Sequence, residues 1–124
     1  MKAIHTDNAP AAIGPYSQAI EVNGFVFASG QIPIDPKTGN FVEGGIKEQT
    51  RQAIENAGNI LKAAGTDLSH VVKTTVYLDN MDDFSAMNEV YAQYFTQPFP
   101  ARSAVAVEKL PKGALVEVEV LATK

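Results

Sequence analysis

An α+β fold, a two-layer sandwich with two helices on one face of a mixed sheet, is what this sequence predicts. Three observations point there. The chain has 124 residues, 45% hydrophobic and 19% charged, the profile of one ordinary globular domain spanning residues 1–124. Two stretches carry apolar residues at helical spacing, and five or six β-prone runs surround them. The order strand, strand, helix, strand, helix, strand, strand has too few helices to cover both faces of a sheet.

The first strong pattern is Gln18-Ala19-Ile20-Glu21-Val22, then Asn23-Gly24, then Phe25-Val26-Phe27-Ala28-Ser29. Asn-Gly between two such runs predicts a hairpin, because both central residues of a type I′ turn need positive φ. Pro33, Asp35-Pro36, Lys37-Thr38-Gly39-Asn40 and Gly44-Gly45 punctuate the next stretch, leaving room for turns and a short edge strand around Phe41. From Ile46 the period becomes helical: Ile46, Thr50, Ala53, Ile54, Ala57, Ile60, Leu61 and Ala64 form one stripe, and Gly65 supplies the stop. Val71 to Leu78 is a β-branched run with Val72, Thr74, Val76 and Leu78 on one face and Val71, Lys73, Thr75 and Tyr77 on the other. Asp79-Asn80 offers a cap for a second helix running to about Phe95, with Phe84, Met87, Asn88, Tyr91, Tyr94 and Phe95 facing inward. Pro98 and Pro100 end it. Ala101 to Val107 and Leu115 to Thr123 are the closing strands, joined by a loop holding Pro111 and Gly113.

On those last strands Ser103, Val105 and Val107, with Val116, Val118 and Val120, form the set expected under the helices. The opposite set is mixed: Arg102, Ala104, Ala106 and Glu108 with Leu115, Glu117, Glu119 and Leu121. Phe25 or Val26, Tyr77, and Leu115 or Leu121 add apolar area to that second face, which no helix remains to cover. A mixed patch of this size predicts an interaction surface, and identical subunits are the commonest way to cover one.

Composition excludes several functions. There is no cysteine, hence no disulfide scaffold, zinc ribbon or thiol nucleophile. Ten Lys plus Arg against fourteen Asp plus Glu give a net charge of −4, which offers no basic stripe for nucleic acid. Met1–Thr6 lacks the apolar stretch of a secretory signal, and no run approaches the roughly 18 apolar residues of a membrane span, so a soluble cytoplasmic protein is expected. His5 and His70 stand alone, so no metal site is expected, and no phosphate loop implies a nucleotide cofactor.

The candidates for chemistry are few. Arg102 opens a strand after a Pro-rich loop and shares its face with Ala104 and Ala106; small neighbours beside one guanidinium leave a hollow suited to a planar carboxylate. The bland reading is a rim arginine paired with Glu108 or Glu119. Glu117, flanked by Val116 and Val118, lies on the same kind of face and could hold a water; the alternative is an ion pair with Arg102 or Lys73. Asn88 interrupts an apolar stripe, and a buried amide either ties down backbone or faces a polar site. Ser29-Gly30 could offer a hydroxyl and an approachable N–H to a ligand, or simply end a strand.

Ala9-Pro10-Ala11-Ala12-Ile13-Gly14-Pro15-Tyr16-Ser17-Gln18, Ser29-Gly30-Gln31-Ile32-Pro33, Asn88-Glu89-Val90-Tyr91, Pro100-Ala101-Arg102-Ser103 and Leu115-Val116-Glu117-Val118-Glu119 resemble, in order and over essentially the whole chain, the RidA family, also called YjgF/YER057c/UK114. The resemblance implies a chorismate-mutase-like subunit, a homotrimer with ligand sites in the clefts between subunits, and no cofactor. It also implies hydrolysis of reactive enamines and imines such as 2-aminoacrylate to 2-oxo acids and ammonia, that is, a 2-iminobutanoate/2-iminopropanoate deaminase. Carried over by position, Arg102 would hold the substrate carboxylate and Glu117 the attacking water, while Tyr16, Ser29, Gly30, Asn88 and Ala104 would line the pocket. Many relatives have cysteine where this chain has Ala104, so no thiol-dependent role transfers. A trimeric module binding 2-oxo acids without turnover is the alternative, and an endoribonuclease or translation inhibitor, assigned to some relatives, is disfavoured by the acidic charge balance.

Overall fold

The computed structural model describes all of residues 1–124. In chain order the elements are β1 (Lys2–Ile4), β2 (Ala19–Val22), β3 (Phe25–Ala28), α1 (Ile46–Ala63), β4 (Val71–Leu78), α2 (Phe84–Tyr94), β5 (Ala101–Ala106) and β6 (Val116–Thr123), with single 3-10 turns at Leu68–His70, Met81–Asp83 and Pro111–Gly113. The six strands form one sheet in the order β1-β2-β3-β6-β4-β5, antiparallel except for the β4–β5 pair. This is the predicted α+β architecture with a mixed sheet. The edge strand β1 is an addition: three residues, two of them exposed, give too little alternation to read.

The hairpin forms as its turn chemistry demands. Val22 pairs with Phe25 across Asn23 (φ 52) and Gly24 (φ 80), the left-handed pair of a type I′ turn. Helix α1 begins where the Glu48 carboxylate accepts the Gly45 N–H at 3.0 Å, satisfying one of the unpaired donors at a helix start. It buries Thr50, Ala53, Ile54, Ala57, Ile60 and Leu61, as its spacing requires. Those side chains meet Val26, Val76, Leu78, Val116, Val118 and Val120 from the sheet in one continuous core. Around Phe41 the expected edge strand is reduced to a single bridge, Ile34 to Phe41.

Three local expectations are corrected. A bulge in the β4–β6 ladder between Val71 and Lys73 buries Val71 and turns Val72 out to 42% exposure, reversing their predicted faces. Asn80 caps the 3-10 turn before α2, accepting the Asp82 N–H at 2.8 Å, so α2 starts only at Phe84. Most consequentially, β5 is turned over. Its parallel register pairs Arg102 with Thr74, Ala104 with Val76 and Ala106 with Leu78, and these β4 partners are the buried set facing the helices. Arg102 and Ala104 therefore face the helix layer, whereas Ser103 and Val105 share the open face with Thr75 and Tyr77. On β6 the expectation holds: Val116, Val118 and Val120 are buried, and Glu117, Glu119 and Leu121 face the open side. Phe25, Phe27 and Val105 are 40%, 45% and 45% exposed on that uncovered face.

Candidate functional site

The reversal of β5 divides the predicted site in two. Arg102 and Glu117 leave opposite faces of the sheet, with β4 between their strands: Arg102 is level with Thr74, and Glu117 with Tyr77. Two strand spacings across and three residues along put their Cα atoms about 14 Å apart, with side chains diverging. The two groups do not meet within one chain, contrary to the expectation that they share a face.

Arg102 stands in a cleft of about 380 Å³ between α2 and the Phe99-Pro100 loop, lined also by Asn88, Tyr91 and Ala92. Its guanidinium carbon lies 4.7 Å from the centre of the Tyr91 ring and 5.4 Å from that of Phe84. The Tyr91 hydroxyl is fixed by a 2.8 Å hydrogen bond with Thr74 Oγ1, and its ring packs on Phe95 at 4.4 Å. A cation resting on so rigid a platform loses little further freedom when it binds an anion. One Arg102 N–H donates to Asn88 Oδ1 at 2.6 Å. Arg102 takes part in no ion pair, which removes the rim reading with Glu108 or Glu119. The guanidinium is thus held by neutral partners, with N–H donors left over and its charge unanswered, the state that receives a carboxylate in a two-bond fork.

Asn88 is exposed at the mouth of this cleft. Of its two predicted roles it takes the polar-site one, although as an exposed amide. Tyr91, three residues further along α2, shares its face and carries the guanidinium. It was legible as a core residue but not as a platform, because only the position of β5 brings a cation over it.

Glu117 belongs to a second cleft, of about 350 Å³, on the other side of the sheet, with Tyr16, Gly30, Gln31 and Lys112 in its walls. Gly30 is there for space: a Cβ on it would collide with the Glu117 carboxylate. The carboxyl is half-buried and lacks a cationic partner, so burial first, and the charge of Glu119 second, push its pKa above the ordinary 4.5. The alternative reading, an ion pair with Arg102 or Lys73, is not met; Lys73 instead donates to Ser103 Oγ at 3.2 Å.

Ser29 lies behind this cleft rather than in it. Its hydroxyl donates to Ser17 O at 2.7 Å, and its N–H donates to Gln18 O at 2.9 Å. Ala104 is half-buried under the helix layer beside Val76 and lines neither cleft. Nowhere do three His, Asp or Glu side chains gather as metal ligands, and no helix is long and apolar enough to cross a membrane.

Known proteins share this design along its whole length. Residues 6–124 match the family model described as Endoribonuclease L-PSP. A RutC family protein of Pyrococcus horikoshii is 58% identical over 123 residues, covering 99% of this chain and 98% of the relative. A human protein named 2-iminobutanoate/2-iminopropanoate deaminase is 52% identical over 121 residues, covering 98% of this chain and 88% of that one. Among solved structures, Escherichia coli TdcF with bound serine superposes at a TM-score of 0.95 with 40% identity, covering 100% of this chain and 99% of the other. With its motifs in order and its fold shared throughout, the chain belongs to the RidA (YjgF/YER057c/UK114) family.

Proposed function

We propose that this protein is an imine and enamine deaminase whose site is assembled between subunits of a homotrimer, Arg102 from one and Glu117 from its neighbour. The observation that carries the reading is the division itself. Arg102 is an unpaired cation preorganised for a carboxylate, Glu117 is a half-buried carboxyl without a cation, and a single subunit keeps them on opposite faces of its sheet. An uncovered sheet face on the same molecule, mixed but carrying exposed Phe25, Phe27 and Val105, supplies the reason to associate.

The chemistry needs little more than placement. Arg102 grips the carboxylate of a 2-imino acid, fixing C2 of the C=N bond in the cleft. Glu117 holds a water and accepts its proton as the oxygen adds to C2. Returning that proton to nitrogen gives a carbinolamine, and passing its hydroxyl proton to nitrogen through the same carboxylate breaks the C–N bond as C=O forms, so that one imine and one water become one 2-oxo acid and one ammonia. An enamine such as 2-aminoacrylate enters by first taking a proton at C3. Positioning and a proton relay suffice for a step of this kind, and no cofactor is invoked. The naming of the human relative and the serine bound to TdcF support a small amino-acid-derived ligand.

The test is to generate 2-aminoacrylate in situ with a serine dehydratase and follow its loss. Wild type should accelerate pyruvate formation. Arg102→Ala, losing a charge-assisted bond of about 1.5–3 kcal/mol, should cut kcat/KM by about one to two orders of magnitude. Binding of 2-oxobutyrate with no turnover above the spontaneous rate would favour a ligand-sensing module instead.

A further inference from the structure

Residues 6–18, between β1 and β2, have no helix or strand of their own, yet Pro10, Ala11, Ile13 and Tyr16 from this stretch form one wall of the Glu117 cleft. Ile13 and Tyr16 are 82% and 53% exposed, so neighbouring side chains do not hold the wall in place. Buried Ala9 and a 2.9 Å bond from Asn59 Nδ2 to the Asn8 carbonyl pin its base, and one further buried side chain makes most of the remaining contacts. Gln18 is only 2% exposed and spends both ends of its amide on the stretch. Its Oε1 accepts the Thr6 N–H at 2.8 Å, and its Nε2 donates to the carbonyls of Thr6 at 3.0 Å, Pro10 at 2.8 Å and Ala9 at 3.4 Å. The loop is thereby closed on itself at its base, leaving residues 11–16 as a short projecting arc.

The main chain of Ser17 and Gln18 ties that arc to the floor of the cleft, through bonds that a side-chain change at 18 leaves in place, so the Gln18 amide governs only the arc. The Gln18 carbonyl accepts the Ser29 N–H, and the adjacent Ser17 carbonyl accepts the Ser29 hydroxyl. Ser29 precedes Gly30, the residue on which the Glu117 carboxylate rests. From Tyr16 through Gln18 and Ser29 to Gly30 runs a continuous set of short bonds that sets the height of the tyrosine over the glutamate. A buried amide with all its capacity spent on loop carbonyls and one loop N–H makes four of the contacts that hold this stretch, against one from Asn59.

We propose that Gln18 is a positioning residue for the deamination, holding the 11–16 arc, and with it Tyr16, in register with Glu117. The proposal rests on the deaminase reading and adds to it a residue that edges the Glu117 cleft but has its amide spent on the loop backbone. A displacement of an ångström at the reacting centre can cost two orders of magnitude, so loosening the arc should tell in rate well before the fold fails.

The experiment compares Gln18→Ala, Tyr16→Ala and the double variant, all well below their melting temperatures. Gln18→Ala should lower kcat/KM at least tenfold and speed hydrogen exchange at the Thr6 N–H, which the Gln18 amide oxygen accepts, while leaving β3 and β6 protected. The double variant should stay within about twofold of the worse single one, because the two changes remove the same placement. If Gln18→Ala does not fold, Gln18→Glu, which keeps the size and the Thr6 N–H bond but loses the three donated bonds, is read in the same way. Activity of the Gln18 variant within twofold of wild type, or losses that multiply in the double variant, would overturn the proposal. If the wild type itself proves not to deaminate, the deaminase reading fails separately, and calorimetric binding of 2-oxobutyrate decides: weakened by Gln18→Ala the placement stands, unchanged it does not.

Discussion

Replacing Gly30 by alanine puts one methyl group where the Glu117 side chain now lies. The backbone there is not in the left-handed region, so the glycine is required by space and not by torsion. The added Cβ would come within 2.8 Å of Glu117 Cδ and 3.1 Å of its Cγ, closer than carbon atoms pack. Either the glutamate leaves its rotamer, at about 0.5–1.5 kcal/mol, or the strand shifts, at about 1–3 kcal/mol. A stability loss of about 0.5–3 kcal/mol follows, survivable for a domain of this size. The effect on rate should be much larger. A displaced carboxylate no longer holds the water, and general acid–base assistance of about 10²–10⁴ goes with it. Steady-state deamination of 2-iminobutanoate and urea unfolding, run on the same preparation, separate the two effects. In a Glu117→Ala background the stability penalty of Gly30→Ala should vanish, since the clash has lost its partner. Full activity in Gly30→Ala, or an unchanged penalty in that background, would refute the reasoning.

The remaining predictions concern charge and turn geometry. Because burial and Glu119 raise the Glu117 carboxyl, kcat/KM should fall as pH drops through a value above 4.5, and Glu119→Gln should move that limb to lower pH without bringing it to 4.5, since burial remains. The sign for stability is opposite: a carboxyl raised on folding contributes fully below 4.5 and loses its contribution as pH rises through the folded value. Glu117→Gln should therefore melt above wild type at neutral pH while losing activity. Gly24→Ala meets no atom within 4 Å, so its cost is conformational alone, about 1–2 kcal/mol for a left-handed alanine, readable by chemical denaturation with no change in activity.

What could be read from the sequence follows the range of the interactions. The Asn23-Gly24 hairpin and the α1 stripe are local, fixed by turn torsions and by three- and four-residue spacing, and both appear where expected. The orientation of β5 is not local. Alternation divides its residues into two sets, but which set meets the helices depends on the parallel register with β4, which turns Arg102 and Ala104 inward and Ser103 and Val105 outward. The bulge at Val72 is equally invisible in a β-branched run that alternates on paper. For the site, residue identity was legible and arrangement was not. Arg102, Asn88, Glu117, Gly30 and Tyr16 all line clefts, yet the sheet separates them into two groups. Tyr91 and Gln18 draw their importance from contacts far along the chain, a cation from β5 and loop carbonyls from residues 6–10, which no short spacing displays.

The central claim is that one working site needs Arg102 from one subunit and Glu117 from another. Co-expression of Arg102→Ala and Glu117→Gln chains in equal amounts tests it directly. Each variant alone should keep no more than about a tenth of wild-type activity. In randomly mixed trimers a site works only when the arginine comes from a Glu117→Gln chain and the glutamate from an Arg102→Ala chain, so about a quarter of wild-type deaminase activity per site should return. A mixture as inactive as its components would place both residues in one subunit's site, or neither in any, and contradict the account.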